Sequence, residues 1–283
     1  MLLHECSWDK NHIESPQRLS RVWDRCVELG LAERCLQLPA RPARDDELLF
    51  YHTEQFMKVL DGSKNLTSEE AEEVCRGYDS VYLCPETAEA ARLAAAAGID
   101  LVDAVLAGDI HCGVGLVRPP GHHAMANELN GFCGYNNVVL AAHKALASGG
   151  VKKVLIVDFD LHHGQGVQRA FYTDPRVLYM SVHRYEDGAY WPHLRESNFD
   201  FVGEGEGKGF NLNVPLNVVG CSDTDYLAIF QQLFLPVAYE FSPELVLISA
   251  GKYINSISAF IYYLNYINLT RNKVFFWRAI SLL

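Results

Sequence analysis

Short apolar runs rich in β-branched residues alternate with longer helical stretches through most of this chain. The apolar runs are too short for helices and show no polar alternation, so they predict strands that are buried on both faces. Strands that alternate with helices predict an α/β fold, with a mainly parallel central sheet covered by helices on both sides. The predicted strands cover residues 114–117, 154–157, 177–182 and 245–249, and the predicted helices cover 85–106, 135–147 and 222–241.

Two histidine-rich motifs directly follow two of the predicted strands. RPPGHH occupies residues 118–123, and DFDLHHG occupies residues 158–164. Ligands of parallel sheets bind at the carboxyl ends of the strands, so we expect both motifs at one rim of the sheet. Carboxylates and imidazoles gathered there are the ligands and bases of a hydrolytic zinc site.

The DFDLHHG motif supplies the predicted metal ligands. In an extended segment alternate side chains share a face, so Asp158, Asp160 and His162 are predicted on one side. We assign Asp160 and His162 as zinc ligands. Asp158 lies deeper and either orients a neighbouring histidine or holds a second cation. The alternative is that the aspartates only cap the turn after the strand, but three ligand-type residues on one face favour the metal site.

The RPPGHH motif presents two adjacent imidazoles. The fixed φ angles of Pro119 and Pro120 and the freedom of Gly121 predict a rigid turn. Because imidazole titrates near neutral pH, His122 and His123 suit proton transfer. One would take a proton from water, and the other would protonate a leaving amine or support an oxyanion. The alternative is a buried, hydrogen-bonded histidine pair without a catalytic role, which the DFDLHHG motif disfavours.

Aromatic residues near these motifs predict the walls of a narrow tunnel. Gly131 and Phe132 in NGFCGYN indicate a close approach of the backbone beside an aromatic ring, and Tyr190 and Trp191 are candidates for a second wall. A slender aliphatic chain could pass between such flat rings. The alternative is that these aromatic side chains belong to a core.

Composition limits the partners and the compartment. The formal net charge is −11 and no lysine or arginine run exceeds two residues, so direct binding of nucleic acid is not expected. The eight cysteines include no CxxC pair, which predicts reduced thiols in a cytoplasmic or nuclear protein. The N-terminus shows no signal-peptide pattern, and we expect no association with a membrane.

Five stretches of sequence together resemble the zinc-dependent histone deacetylase family, and within it class IIb and the cytoplasmic tubulin-deacetylase branch. They are RPPGHHA, GFCGYNN, DFDLHHGQGVQ, VLYMSVHRYEDGAYWP and PELVLISAG, and the resemblance covers residues 3–251. It implies the three-layer arginase/deacetylase fold and hydrolysis of N-acetyl-lysine in histones or in cytoplasmic proteins such as tubulin. Deacetylation of acetylpolyamines is the alternative within the same class.

The resemblance also implies a role for each candidate site residue. Asp160 and His162 match the zinc ligands, and His122 and His123 match the catalytic histidine pair. The other matches are Gln165 facing His123, Asp158 as the acidic partner of His122, Gly131, Phe132 and Trp191 along the acetyl-lysine tunnel, and a structural potassium site of Asp158, Ser181 and the backbones of Asp160, His162 and Val182.

The sequence departs from the family after Gly251. The family continues with Phe-Asp, whose aspartate is the third zinc ligand, but Lys252 and Tyr253 stand there in this chain. The later Gly-Gly-Tyr turn, whose hydroxyl stabilises the oxyanion, has no counterpart, and the strand before residue 4 is missing. We therefore expect a truncated catalytic domain over residues 1–251, an unrelated aromatic-rich tail over 252–283, and a sheet that is incomplete at both ends.

These departures leave two classes of hypothesis. The first is a zinc-dependent protein lysine deacetylase, and the second is a catalytically impaired truncated isoform that acts at most as a binding module. Impairment is expected because two protein zinc ligands and no oxyanion tyrosine remain. A two-manganese arginase-like hydrolase is disfavoured by the tandem histidines. A membrane-spanning tail is disfavoured because the apolar stretch over 254–267 is short and interrupted by polar residues.

Overall fold

The computed structural model describes residues 1–251 and a two-residue strand at Lys273–Val274. Five parallel strands form one sheet in the order β3-β2-β1-β4-β5. The strands are β1 (Val154–Asp158), β2 (Val177–Arg184), β3 (Asn211–Leu216), β4 (Leu245–Ser249) and β5 (Lys273–Val274). The helices are α1 (Gln17–Glu28), α2 (Asp45–Leu48), α3 (Glu54–Gly62), α4 (Ser68–Cys75), α5 (Thr87–Ala107), α6 (Asn137–Ala147), α7 (Gln165–Phe171), α8 (Asp223–Ile229) and α9 (Leu235–Phe241).

Helices cover both faces of the sheet, because successive strand residues point to opposite sides. On one face, Val154 and Ile156 of β1 pack with apolar residues of α5, α6 and α7. On the other face, Leu155 and Val157 pack with α9 and with the π-helical segment Phe230–Phe234 that joins α8 to α9. The prediction of a three-layer α/β fold with a mainly parallel sheet is confirmed.

The first residues of α6 lie directly behind the RPPGHH loop. The side chain of Asn136 caps this helix by accepting a hydrogen bond from the backbone N of Val139 at 3.3 Å, and its amide donates to the carbonyl of Ala124 at 2.9 Å. The backbone N of Asn136 donates to His52 Nε2 at 2.8 Å. One capping residue therefore connects the helix, the loop and a buried histidine.

Two strand assignments differ from the predictions. Residues 114–117 form no strand of the described sheet, and Val114 makes only an isolated bridge. Strand β3 was not predicted, because Asn211, Asn213 and Pro215 interrupt its apolar pattern. Among the described strands it pairs with β2 alone, at an edge of the sheet, where a residue without a backbone N–H is tolerated.

The central strands are in register where β1 and β4 end, at the side of the sheet that carries the site. Asp158, the last residue of β1, lies opposite Ser181 of β2 and Ser249 of β4. Both serines and the aspartate are buried. Three adjacent strands therefore present a row of polar residues at one level of the sheet.

The predicted tail over 252–283 lies outside the described residues apart from Lys273–Val274, so its independence from the domain over 1–251 stays a prediction. Within the described part of the chain, the helices are all too short or too polar to cross a bilayer.

Candidate active site

The loop after β1 folds back on its own carboxylates. Asp158 accepts a hydrogen bond from the backbone N of Asp160 at 3.1 Å, and Asp160 accepts one from the backbone N of His162 at 2.8 Å. Bonds of this kind bend the chain into turns. The predicted extended alternation is therefore wrong. Asp158 is buried in the interior, whereas Asp160 and His162 line a cavity.

His122 is oriented by the buried carboxylate of Asp158. Its Nδ1 donates to Asp158 Oδ2 at 2.9 Å, and the hydroxyl of Tyr179 donates to the same oxygen at 3.1 Å. Burial by itself lowers the pKa of His122, but the adjacent Asp158 carboxylate outweighs it, so the pKa is raised. The Asp158 carboxylate therefore stabilises the protonated form of this imidazole.

His123 has a neutral partner instead. Its Nδ1 donates to the side-chain oxygen of Gln165, the first residue of α7, at 2.7 Å. Burial, together with repulsion from His122 and His162, holds the pKa of His123 well below its usual value. The centroids of the two rings lie 3.8 Å apart, so two imidazoles whose pKa values are shifted in opposite directions are neighbours.

Asp160 and His162 offer metal-binding atoms beside this pair. The donor atoms of His122, His123 and Asp160 all lie within 4.8 Å of one another, and His162 Nδ1 lies 3.3 Å from Asp160 Oδ1. Burial raises the pKa of Asp160, but hydrogen bonds from His162 and the charge of His122 outweigh it, so the carboxyl stays ionised. Imidazole nitrogen with carboxylate oxygen is a donor set that fits zinc.

Aromatic residues narrow the cavity above these groups. It encloses about 270 Å³, and Gly131, Phe132, Tyr190 and Trp191 line it together with the two histidines of RPPGHH. The ring of Trp191 lies edge-on to His123 at 4.6 Å, and Tyr190 stacks on His162 at 5.2 Å. The four aromatic and glycine positions named from the sequence therefore share one cavity.

A sequence profile of the histone deacetylase domain matches residues 12–255. The chain belongs to the histone deacetylase family. It is 49% identical over 246 residues to polyamine deacetylase HDAC10 of Homo sapiens, and the match covers 86% of this chain and 37% of that protein. It is 42% identical over 249 residues to histone deacetylase 6 of Caenorhabditis elegans, which covers 88% of this chain and 26% of that protein.

The same family is found among solved structures. The crystal structure of the HDA15 HD domain superposes with a TM-score of 0.88 at 35% identity, and the match covers 98% of this chain and 80% of that chain. The chain spans less than half the length of the two named curated relatives.

Gly251 brings the end of β4 against the carboxylate of Asp160 in this deacetylase domain. A Cβ atom at Gly251 would lie 1.3 Å from Asp160 Oδ2, which no side chain could occupy without displacing it. A larger residue at Gly251 would therefore displace the carboxylate of Asp160. Lys252 and Tyr253, which follow it, lie outside the described residues.

The residues named for a potassium site lie close to Asp158. Ser181 stands opposite Asp158 in the sheet, and its hydroxyl contacts His183 Nδ1 at 2.8 Å. Val182 is buried in the core on the far face of the sheet, as expected if only its backbone takes part. The structure places these residues together, and the assignment to potassium stays a prediction.

Sequence reasoning missed the groups that support the site from a distance. Arg118 is buried and binds Glu14 through two nitrogens, and Tyr179 contacts Asp158 from β2. Asp79 contacts Trp191 from a loop more than a hundred residues earlier. The arginine of RPPGHH was one available signal, since a charged residue beside a buried motif needs a partner. The other two lie in stretches without a chemical motif.

Proposed function

We propose that this chain carries the active site of a zinc-dependent deacetylase that hydrolyses the N-acetyl amide of acetylated substrates. The adjacent imidazoles of His122 and His123, each with a different Nδ1 partner, support this proposal most directly. They lie beside Asp160 and His162 in a cavity with aromatic walls. A hydrolytic site needs this combination of a base, an acid and a metal-binding pair.

The roles follow from the two protonation preferences. His123, whose pKa is lowered, is the base that accepts a proton from the attacking water at Nε2. His122, whose pKa is raised by Asp158, stabilises developing negative charge in its protonated form. The proton that His123 accepts from water is then delivered by His123 to the leaving amine. A zinc ion held by Asp160 and His162 supplies Lewis acidity to the carbonyl and lowers the pKa of water.

The walls of the cavity select the substrate's shape. Phe132 and Trp191 line the cavity, and their flat rings would flank an unbranched aliphatic chain, such as the side chain of acetyl-lysine. A chain bound between them would displace water, which strengthens the electrostatic contacts inside. Gln165 fixes the ring of His123 without adding negative charge.

We further propose that zinc affinity and turnover are reduced in this chain. Catalytic zinc sites hold the ion with three protein ligands, and Tyr253 stands where the family places the third one. Phenol is a poor substitute for carboxylate at neutral pH, because its ordinary pKa is about 10.

Metal analysis of three forms of the full chain tests both statements. We expect Tyr253→Asp to raise zinc affinity by at least about tenfold. Removing a residue that only hydrogen-bonds to a metal ligand already lowers metal affinity about tenfold or more, so adding a ligand should gain at least as much. We expect His162→Ala to abolish zinc binding and any hydrolysis of an acetyl-lysine peptide. Stoichiometric zinc and rapid turnover in the unaltered chain would contradict the proposed impairment, and unchanged activity in His162→Ala would contradict the site.

Acetylated proteins are the substrates we propose, with histones and cytoplasmic proteins such as tubulin as the classes to assay. Acetylpolyamines are the second candidate, because the named human relative is a polyamine deacetylase. Parallel assays with an acetyl-lysine peptide and an acetylated polyamine distinguish them.

The eight cysteines are all free thiols, which supports a location in the cytoplasm or nucleus. A structural potassium ion at Asp158, Ser181 and the backbone of Val182 completes the proposal.

A further inference from the structure

One short segment, Asp79–Ser80, contacts both aromatic walls of the cavity. The backbone N of Gly131 donates to the carbonyl of Asp79 at 3.0 Å, and that of Phe132 donates to the carbonyl of Ser80 at 2.8 Å. Asp79 also forms a parallel bridge with Asn130. The backbone that carries the first wall is therefore paired with this segment.

The side chain of Asp79 reaches the second wall. The indole Nε1 of Trp191 donates to Asp79 Oδ2 at 2.8 Å, and the hydroxyl of Ser80 donates to Asp79 Oδ1 at 2.8 Å. A hydrogen bond to an ionised carboxylate is stronger than one between neutral groups. Each oxygen of this carboxylate thus has a partner, and one of the partners is a wall of the cavity.

The two walls are in close contact at Gly131. A Cβ atom there would lie 2.6 Å from the Cη2 atom of Trp191 and 2.4 Å from the ring of His123. The indole therefore lies directly on the backbone that Asp79 pairs with. Because the rings of Trp191 and His123 both lie against Gly131, a shift of Trp191 changes the free space beside His123.

Local backbone strain indicates that the arrangement is imposed by its contacts. Ser80, Gly131 and Phe132 have positive φ angles of 55°, 55° and 65°. Residues other than glycine are disfavoured in this region of φ, and they occupy it where surrounding contacts hold the backbone in place. The two non-glycine residues with positive φ, Ser80 and Phe132, are hydrogen-bonded to each other in this pairing.

We propose that Asp79 is a positioning residue that fixes Trp191 against the Gly131–Phe132 wall and thereby sets the width of the substrate tunnel. The inference rests on the proposed function only where it takes these rings to flank the aliphatic chain of the substrate. Asp79 acts through Trp191 and does not itself touch the substrate. Direct contact between this carboxylate and the substrate is the competing account, and the two differ in how Asp79 and Trp191 substitutions combine.

The hydrogen bond can be measured without a substrate. Four indole N–H resonances are expected from the full chain labelled with ¹⁵N-tryptophan, and loss of one in Trp191→Phe assigns that residue. We expect solvent exchange of the Trp191 indole proton to rise at least about tenfold in Asp79→Ala, the loss expected for a charge-assisted bond. Asp79→Asn retains an acceptor oxygen and should restore slow exchange. Equal exchange in all three forms would overturn the proposal.

A double-mutant cycle tests the consequence for binding. The dissociation constant of a fluorescent acetyl-lysine peptide is measured with zinc present for the unaltered chain, Asp79→Ala, Trp191→Phe and the double variant. We expect Asp79→Ala to weaken binding about tenfold. We expect no further effect of Asp79→Ala once Trp191 is phenylalanine, because the residue acts through the indole N–H.

Independent, multiplying effects of the two substitutions would overturn the positioning role and favour direct contact with the substrate. Glu69→Ala, which removes another exposed carboxylate from α4, is the charge-matched control and should bind the peptide within about twofold of the unaltered chain. If the unaltered chain binds no peptide, the proposed function fails. The indole exchange then still decides whether Asp79 holds Trp191.

Discussion

The two histidine-bearing loops reach the same cavity with different kinds of support. The loop over 158–164 leaves the central strand β1 and is flanked by β2 and β4, so the sheet itself fixes its start. The RPPGHH loop follows no strand of the described sheet. It is held by the buried pair of Arg118 and Glu14 and by the cap of α6. The two motifs look alike in sequence, but one loop is held by the strand that precedes it and the other by contacts with residues distant in the chain.

Removal of Arg118 should have the largest effect on this contrast. Arg118→Met removes both Arg118 hydrogen bonds from the carboxylate of Glu14, which is 1% exposed, and leaves Arg18, 3.9 Å away, as the nearest arginine. Breaking a buried pair in this way costs about 3–5 kcal/mol, so we expect a loss of that size in the free energy of unfolding from urea denaturation of the full chain. The double variant Glu14→Leu with Arg118→Met removes both charges and should recover most of it. A loss below about 1 kcal/mol in the single variant would show that the loop has other support.

The contact between the start of α7, which follows the loop over 158–164, and the RPPGHH loop should be the next most sensitive point. Gly166 in α7 lies against the RPPGHH loop, and a Cβ there would approach the carbonyl oxygens of Ala124 and His122 to 2.3 and 2.8 Å. Gly166→Ala should therefore cost about 1–3 kcal/mol through overpacking. Gly62→Ala, at a helical position with nothing within 4 Å, is the matched control and should be neutral or stabilising. Equal behaviour of the two variants would mean that α7 and the RPPGHH loop are not in tight contact.

The smallest expected difference concerns pH. Burial lowers the pKa of His52 to about 3 from 6.5, so below pH 6.5 the unfolded chain binds a proton that the folded chain does not. Its contribution to stability is complete above pH 6.5 and falls as the pH drops towards 3. We expect His52→Gln to reduce the loss of unfolding free energy between pH 6 and 4 by at most about 1.4 kcal/mol per pH unit.

Denaturation of both forms at several pH values measures this difference. His52 accepts from the backbone of Asn136, whose side chain supports the loop at Ala124, so the support of the RPPGHH loop contains a titrating group. Identical pH slopes for the two forms would remove His52 from that role.

Apolar periodicity was sufficient for much of the fold. Strands β1, β2 and β4 and helices α5 and α6 lie where the patterns predicted them, because buried parallel strands and long helices leave strong signals. The edge strand β3 was not predicted, since its polar residues and proline interrupt the apolar pattern. Residues 114–117 resemble a buried strand in composition, but pairing depends on distant segments that no local window contains.

The candidate site shows the same division. Asp160, His162, His122 and His123 were named from their chemistry, and the structure places them around one cavity. The alternation argument failed, because hydrogen bonds from backbone N–H groups to Asp158 and Asp160 bend the loop. Partners such as Glu14 and Asp79 could not be found from spacing, since contacts across a hundred residues are fixed by tertiary packing.

The register of Asp158 with Ser181 and Ser249 makes the length of β1 more constrained than its composition. Exchange of one aliphatic residue for another within β1 alters packing on a single face. Insertion or deletion of one residue reverses every later side chain, so that Asp158 turns away from His122 and an apolar neighbour takes its place. In-frame length variants of this strand should therefore be absent from functional copies of the domain, whereas aliphatic exchanges persist.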